Sequence, residues 1–417
     1  MKNNINLVKG THDIYGAEME KFEFIIESFY SVCKKFNFQS IQTPIIEQQE
    51  LFSRAVGEQT DIVSKEMYSF LDKGEINICL RPEATSGLAR FAASNYQSGL
   101  MKLVTHGPMF RRERPQKGRY RQFHQINIET IGEKSPYIDF ELILVARLLL
   151  DELGVIKNKY KLLINSLGSK EDQLSYSKLL KKYLSDFKNQ LSETSISRLD
   201  KNPLRILDSK DPEDTEILKN APKISEHLST ESKNYFEQVK KLLNSNEIEF
   251  FEEPKLVRGL DYYSHTAFEF QTTEDKRQNA ILAGGRYDKL ISMISSRDIP
   301  GIGWAAGVER LMDLIKIEDE KSKTKSKNKI LFAVQDETYL INNRILKQIY
   351  NFKYNHEVRV NKNIKKLFSY ADKNNFSFIL LIGEEEINSN KIILKDLKNK
   401  SQQTFEISKF ELKNEIR

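Results

Sequence analysis

The chain has 417 residues, 39% of them hydrophobic and 30% charged, with a formal net charge of +6 and two cysteines. That length allows two or three domains of roughly 100–200 residues, while Cys33 and Cys79, with no CxxC spacing and no HExxH elsewhere, exclude a disulfide framework and argue against a zinc site. No segment approaches the ~20 apolar residues a bilayer span needs, and the opening MKNNINLVKGTHDIYG lacks a signal peptide's layout, so a cytoplasmic protein without a membrane partner is expected.

In chain order, residues 17–36 place Phe22, Ile25, Ile26, Phe29, Val32 and Phe36 at helical spacing, and the short run Phe38–Ile46 follows. Next come Leu80-Arg-Pro-Glu-Ala-Thr-Ser-Gly and a helix through about Tyr96. Residues 100–131 read as an antiparallel hairpin of two long strands with a basic tip; a helix covers about 137–153 and a strand 159–165. From about 170 to 245 the texture turns to Lys-, Ser- and Glu-rich helical segments, as in a helical module inserted into one domain. Strand chemistry resumes at 249–270, then Ala283-Gly-Gly-Arg-Tyr-Asp and a glycine-rich turn, Gly301 to Gly307, leading into a helix. Residues 316–329, KIEDEKSKTKSKNK, have no apolar periodicity and read as a solvated linker. Beyond it, strands at Ile330–Val334, Phe376–Ile382 and Lys391–Leu397 alternate with helical patterns at about 338–352 and 363–374, which argues a small α/β domain. Residues 329–417 hold 16 Lys plus Arg against 11 Asp plus Glu, a local excess of +5. Such charge permits a polyanionic partner without identifying one.

Three segments carry chemistry. Residues 258–270, Arg-Gly-Leu-Asp-Tyr-Tyr-Ser-His-Thr-Ala-Phe-Glu-Phe, place a cation, a carboxylate, two phenols and an imidazole ahead of a strand-like alternation. A core strand does not need that chemistry, and a solvated loop does not need those aromatics. The hairpin holds six basic residues between Arg111 and Arg121, opposed only by Glu113, with turn residues from Pro115 to Gly118 at the tip. Alternation puts Arg121, Gln125, Asn127 and Glu129 on one face of its return strand, and Arg111 and Glu113 on one face of the outgoing strand. Periodicity alone fits a solvated sheet face equally well. The third segment, Gly301 to Leu311, lacks G-x-G-x-x-G spacing, and no P-loop motif occurs, so dinucleotide and P-loop readings fail.

Together LVRGLDYY, Phe110-Arg-Arg-Glu, Gly-Gly-Arg-Tyr-Asp and Glu309-Arg310-Leu311 closely resemble the histidyl-tRNA synthetases, a class II aminoacyl-tRNA synthetase family. The resemblance runs from Gly10-Thr-His-Asp to the Tyr370-Ala-Asp and Ile382-Gly-Glu patterns. It implies an α/β (α+β) fold: a catalytic domain over 1–325 on a mostly antiparallel sheet flanked by helices, interrupted by the insertion at about 170–245. The linker at 316–329 and a C-terminal α/β anticodon-binding domain at 330–417 complete it. The helix at 17–36 and the strand after it resemble the dimer-forming element of the class, which implies a homodimer; an ordinary surface helix fits the local pattern equally well.

The resemblance also implies the site. Arg111 contacts the ATP α-phosphate, Glu113 sits near the adenine, Arg119 joins the ATP site, and Arg310 grips the γ-phosphate. Glu83 and Thr85, from a recognition segment running from Arg81 to Thr85 and including Ala84, hold the ammonium group of L-histidine together with Gln125 of the hairpin. Glu129 and Tyr263 address the imidazole nitrogens, Tyr262 and Tyr287 help form the pocket, and Arg258 contacts the carboxylate and α-phosphate. Gln116, Lys117 and Arg119 meet the acceptor end of tRNA-His, and Mg²⁺ accompanies ATP. The attacking carboxylate is already anionic, so the first step needs in-line positioning and charge neutralisation rather than a general base. A pocket that hydrogen-bonds both ring nitrogens rejects amino acids lacking them by roughly 10⁴ or more.

Departures from the family pattern are small: Ala84 replaces the usual glycine, and Ile302, Trp304 and Ala305 make the third motif atypical. The main rival is the regulatory paralogue of ATP phosphoribosyltransferase. It typically has degraded motifs and no anticodon-binding domain, whereas Arg111, Arg258, Glu309-Arg310 and the region after residue 329 are present here. A synthetase for another amino acid and a pure RNA-binding protein are further rivals, opposed by Glu129 and the two tyrosines at 262 and 263.

Overall fold

The computed structural model describes residues 5–58, 60–116, 118–257, 260, 262–274, 279–315, 329–341 and 355–406. Contact density divides the chain into two units, Met1–Lys316 and Ile317–Arg417.

The first unit is built on an eight-stranded sheet. Its strands are β1 (Gln39–Ser40), β5 (Met101–Phe110), β6 (Gln122–Ile131), β7 (Tyr160–Ser166), β8 (Phe251–Glu252), β9 (Ser264–Thr272), β10 (Ala280–Arg286) and β11 (Gly301–Gly307). Their order is β1-β5-β6-β11-β10-β9-β7-β8, antiparallel throughout except for the short edge strands β1 and β8, which pair parallel. A small antiparallel sheet, β2 (Ile46–Gln48), β4 (Asn77–Leu80) and β3 (Tyr68–Leu71), stands apart. The mostly antiparallel sheet flanked by helices is therefore as expected.

Period-2 alternation gives the large sheet two chemically different faces. Ile126 and Ile128 lie on one face of β6, and Trp304 of β11 pairs with Ile128. The expected helix over 17–36 is α1 (Ala17–Lys35), burying Ile25, Phe29 and Val32. It covers this face with Phe29 set 5.9 Å from Trp304, whose Nε1 donates to Leu142 O of α4 (Pro136–Glu152) at 3.0 Å. The proline at α4's first position follows Ser135, whose side chain accepts from Tyr137 N, so that helix starts where the sequence specifies a cap. Between them lie α2 (Gln49–Phe52) and α3 (Thr85–Asn95).

Two expectations change. Strand structure in the hairpin ends at Phe110 and resumes at Gln122. Arg111, Glu113 and Arg121 therefore sit on the connecting loop, pinned by backbone bonds from Arg111 N to Arg121 O and between Gln116 and Arg119. The glycine-rich stretch from Gly301 is the strand β11 rather than a turn, because β6 supplies partners along its whole length and β10 from Ile302 to Ala306.

The segment from 170 to 245 is helical: α5 (Lys170–Ser185), α6 (Glu193–Leu199), α7 (Pro212–Ile217) and α8 (Thr230–Ser245) enclose their own core, with Leu180, Leu184, Ile206 and Ile224. Asp172 ties its first and last helices together by accepting from Ser169 N, Ser229 N and Ser232 Oγ. The unit closes with α9 (Leu290–Ile294) and α10 (Val308–Leu314). The linker expected at 316–329 lies, up to residue 328, outside the described residues.

In the second unit, β12 (Ile330–Val334), β13 (His356–Val360), β14 (Phe378–Ile382), β15 (Lys391–Asp396) and β16 (Ser401–Glu406) form a sheet ordered β13-β12-β14-β15-β16. The first three pair parallel and the last three antiparallel. Helices α11 (Ile364–Lys373) and α12 (Glu384–Asn388) accompany it. Of the helix expected at 338–352, residues 342–352 lie outside the described residues.

Candidate active site

The face of the large sheet opposite α1 and α4 floors a cleft. Phe123, Gln125 and Asn127 of β6 line it beside Gly303 and Ala305 of β11 and Ala283 of β10, small residues that leave the floor open. One wall is aromatic, with Tyr262, Tyr263 and Tyr287; another brings Glu83 and Thr85 from the start of α3. Across the cleft stand Arg111, Glu113, Arg119 and Tyr120 from the hairpin loop, and Glu309 and Arg310 from α10.

The cationic end is built from three distant segments. Arg111 donates Nε to Pro82 O at 2.9 Å, and its guanidinium lies 5.3 Å from the centre of the Phe123 ring. Arg310 donates to Ala280 O at 2.9 Å and Gly118 O at 3.3 Å. Burial, followed by the like charges of Arg119 and Arg111, lowers the Arg310 pKa from its ordinary value. Guanidinium groups held together against their own repulsion are suited to a polyanion. Glu309 points elsewhere: its carboxylate accepts from His124 N at 2.9 and 3.0 Å and meets His124 Nδ1 at 2.9 Å, fastening α10 to β6.

At the other end a fully buried carboxylate sits behind the wall. Glu129 is 0% exposed and accepts from Thr85 Oγ1 at 2.7 Å and from the Tyr287 hydroxyl. Burial pushes its pKa up to about 8, against the pull of those two hydrogen bonds. Glu83 accepts from Thr85 N at 2.6 Å and Ser86 N at 3.0 Å, capping α3 while remaining on the cleft wall. Beside them Gln125 Oε1 and both polar atoms of Asn127 are buried with no hydrogen-bond partner. Such atoms are expensive to leave unpaired, so their concentration on a cleft floor marks a polar ligand's place.

The structure therefore brings together Glu83, Thr85, Arg111, Glu113, Arg119, Gln125, Tyr262, Tyr263, Tyr287 and Arg310. Three expectations shift. Arg81 is buried, donating to Pro108 O, Thr43 O and Thr43 Oγ1, and is a structural cation away from the cleft lining. Ala84 is fully buried and does not line the cleft; Glu129 lies behind Thr85 and Tyr287 instead of on the lining. Gln116 belongs to an adjoining basic hollow with Lys65, Arg112, Arg114 and Arg119. Arg258 and Lys117 lie outside the described residues. Sequence reasoning left out Asn127 and Phe123 as site residues, although both share the odd-numbered face with Gln125. Cys33 and Cys79 are free and buried, and burial pushes the Cys79 thiol up to about 12.

Comparisons with known proteins cover both units of the chain. Residues 10–311 match the family model for histidyl-tRNA synthetase and residues 334–415 that for an anticodon binding domain. The pair of matches defines an aminoacyl-tRNA synthetase, a ligase. The chain is 40% identical over 408 residues to the histidine–tRNA ligase of Hydrogenovibrio crunogenus, covering 97% of this chain and 95% of that protein. It is 42% identical over 390 residues to that of Wolbachia pipientis, covering 94% and 95%. The apo crystal structure of the S. aureus histidyl-tRNA synthetase superposes with a TM-score of 0.78 at 30% identity, over 97% of this chain and 98% of that one. The chain belongs to the histidyl-tRNA synthetase family.

Proposed function

We propose that this cleft ligates L-histidine to tRNA-His. ATP and histidine give histidyl-adenylate and pyrophosphate, and histidine then passes to the 3′ end of the tRNA. The observation that carries the reading is the polarity of the cleft: converging guanidiniums at one end, a buried carboxylate with tyrosines and unsatisfied amides at the other. The triphosphate lies along Arg111, Arg119 and Arg310, with Phe123 offering the adenine an apolar face and Glu113 beside it. The imidazole lies between Tyr263 and the Thr85–Tyr287 pair backed by Glu129, and the ammonium group faces Glu83 and Gln125.

In this placement the histidine carboxylate meets the α-phosphate between the two ends, where Arg111 neutralises the growing charge on phosphate oxygens. Arg258, of the Arg-Gly-Leu-Asp-Tyr-Tyr run and outside the described residues, takes part in the same neutralisation on the strength of the motif alone. Mg²⁺ would enter with ATP, and Glu113 on the cleft wall is an oxygen donor of the kind that ion takes beside phosphates. Bound, it would neutralise phosphate charge.

The second unit, in which residues 334–415 match the anticodon binding model, meets the far end of the tRNA, and the hollow around Gln116 and Arg112 its acceptor end. Lys and Arg contacts there supply affinity and orientation. The catalytic unit spans 1–325 with its insertion at about 170–245, and the linker is 316–329. No helix among the described residues is long and apolar enough to cross a membrane, and the enzyme works in the cytoplasm, as a homodimer. Exposed Ile46, Phe70, Leu71 and Ile76 around the small sheet supply the apolar surface a second copy covers. The regulatory-subunit reading is disfavoured by intact Arg111 and Arg310 in the cleft and by the second unit.

ATP–pyrophosphate exchange with each of the twenty amino acids tests this. Only histidine should support exchange, and Arg258→Ala should abolish it in a folded protein. Exchange driven by another amino acid, or by none, overturns the reading.

A further inference from the structure

The helical insertion touches the cleft's aromatic wall directly. Gln173, on the first turn of α5, is 7% exposed and donates Nε2 to Tyr263 O at 2.8 Å, across 90 residues of sequence. Tyr263 packs both against the insertion's own core and against the core beneath the cleft, sits 4.6 Å from the Tyr262 ring, and lies over Gly285 of β10. A second tie comes from α8. Tyr235 donates to Asp139 Oδ1 at 3.1 Å, and the same oxygen accepts Arg286 Nε at 3.0 Å. Arg286 immediately precedes Tyr287, whose hydroxyl donates to Glu129. The two ties belong to one rigid piece, because Asp172, next to Gln173, also holds the start of α8 through Ser229 and Ser232.

We propose that Gln173 is a positioning residue for the amino-acid pocket, through which the docked insertion sets the place of Tyr263 against the bound imidazole. The inference deepens the histidine-ligation reading and rests on it. A peptide carbonyl held by a buried amide fixes the backbone from which the Tyr263 side chain projects, so the ring that packs on both cores keeps its place. Removing the donor leaves the Tyr263 carbonyl buried without that partner and lets the segment re-pack, which loosens the histidine end of the cleft. The nucleotide end is fixed by different contacts, from Pro82, Gly118 and Ala280, and stays as it is.

The test uses the full chain in ATP–pyrophosphate exchange, with KM measured separately for histidine and for ATP. Gln173→Met keeps the side chain's length and removes its donor; Gln173→Glu keeps its shape and faces the carbonyl with oxygen, and carries the test should the first variant fail to fold. Tyr183→Phe is the control, since it deletes a 2.9 Å bond to Ile217 O wholly inside the insertion. The expected result is a rise of about 3- to 10-fold in the histidine KM of the Gln173 variants, the size of one neutral hydrogen bond. The ATP KM should stay within about 2-fold, and Tyr183→Phe should leave both constants alone. Equal changes for both substrates, no change in either, or the same split in the control overturn the proposal. An unaltered chain without histidine-dependent exchange brings down the functional reading itself, whereas normal exchange with unmoved Gln173 variants brings down this inference alone.

Discussion

Gly303 of β11 stands directly opposite Glu129 of β6, and the Glu129 carboxylate occupies the space where a β-carbon on residue 303 would be. The missing side chain on one strand is what lets a glutamate lie flat and fully buried on the next.

Gly303→Ala should therefore displace Glu129 from Thr85 and Tyr287. Overpacking of a rigid floor costs about 1–3 kcal/mol, so the melting temperature should drop by several degrees and histidine-dependent exchange should fall to background. A variant that melts and exchanges like the parent would show that the carboxylate has another place to go.

Glu129→Gln should raise the histidine KM far more than the ATP KM, since the carboxylate backs only the amino-acid end of the cleft. Its raised pKa also fixes a pH signature. In the unfolded chain the group ionises near the ordinary value of about 4.3; in the folded protein it does so near 8. Between these values the folded state holds the extra proton, so stability is greatest below the lower value, falls as pH rises through the window and levels off above the upper one. Melting curves from pH 5 to 8 should fall more steeply for the parent than for Glu129→Gln. Parallel curves would place the folded pKa near its ordinary value.

Arg310→Ala should lower kcat/KM for ATP by about 10²-fold, the scale for removing one preorganised charge partner, with the histidine KM little changed. Because Arg310 is held against Arg111 and Arg119, its loss should not lower the melting temperature of the ligand-free protein, while the stabilisation given by added ATP should shrink. Thermal shifts with and without ATP measure both effects. A variant that ATP still protects fully would remove Arg310 from the nucleotide site.

Phe70→Asp combined with Leu71→Asp should split the proposed dimer. The side chains are 45% and 62% exposed at the edge strand β3, and desolvating two carboxylates in an apolar contact is strongly unfavourable. Light scattering should report one chain of 48.6 kDa for the double variant and twice that for the parent. An unchanged mass would move the dimer contact elsewhere or remove it.

Much of the cleft lining is legible in the sequence. The odd-numbered face of β6 followed from alternation, and Arg111, Arg310 and the tyrosines followed from motif wording. Arg81 was misplaced for a physical reason: a guanidinium in a recognition segment and one satisfied by Thr43 and Pro108 carbonyls look identical in one dimension. Nothing in the sequence singles out Asn127, because its significance lies in what it lacks, a partner for either polar atom. Chain order likewise hid that Gly301–Gly307 is strand, since glycine's low strand preference is overridden by pairing on both sides.

By itself the sequence determined the faces of helices and strands, the basic hairpin loop, the helical insertion and the separate C-terminal α/β unit, because these depend on local spacing and charge. Only the tertiary structure decided that Glu129 lies sealed behind Thr85 and Tyr287, that Gly303 makes room for it, and that Gln173 reaches Tyr263. Periodicity says which side of an element is polar, but burial and hydrogen-bond partners depend on what another part of the chain lays over that side.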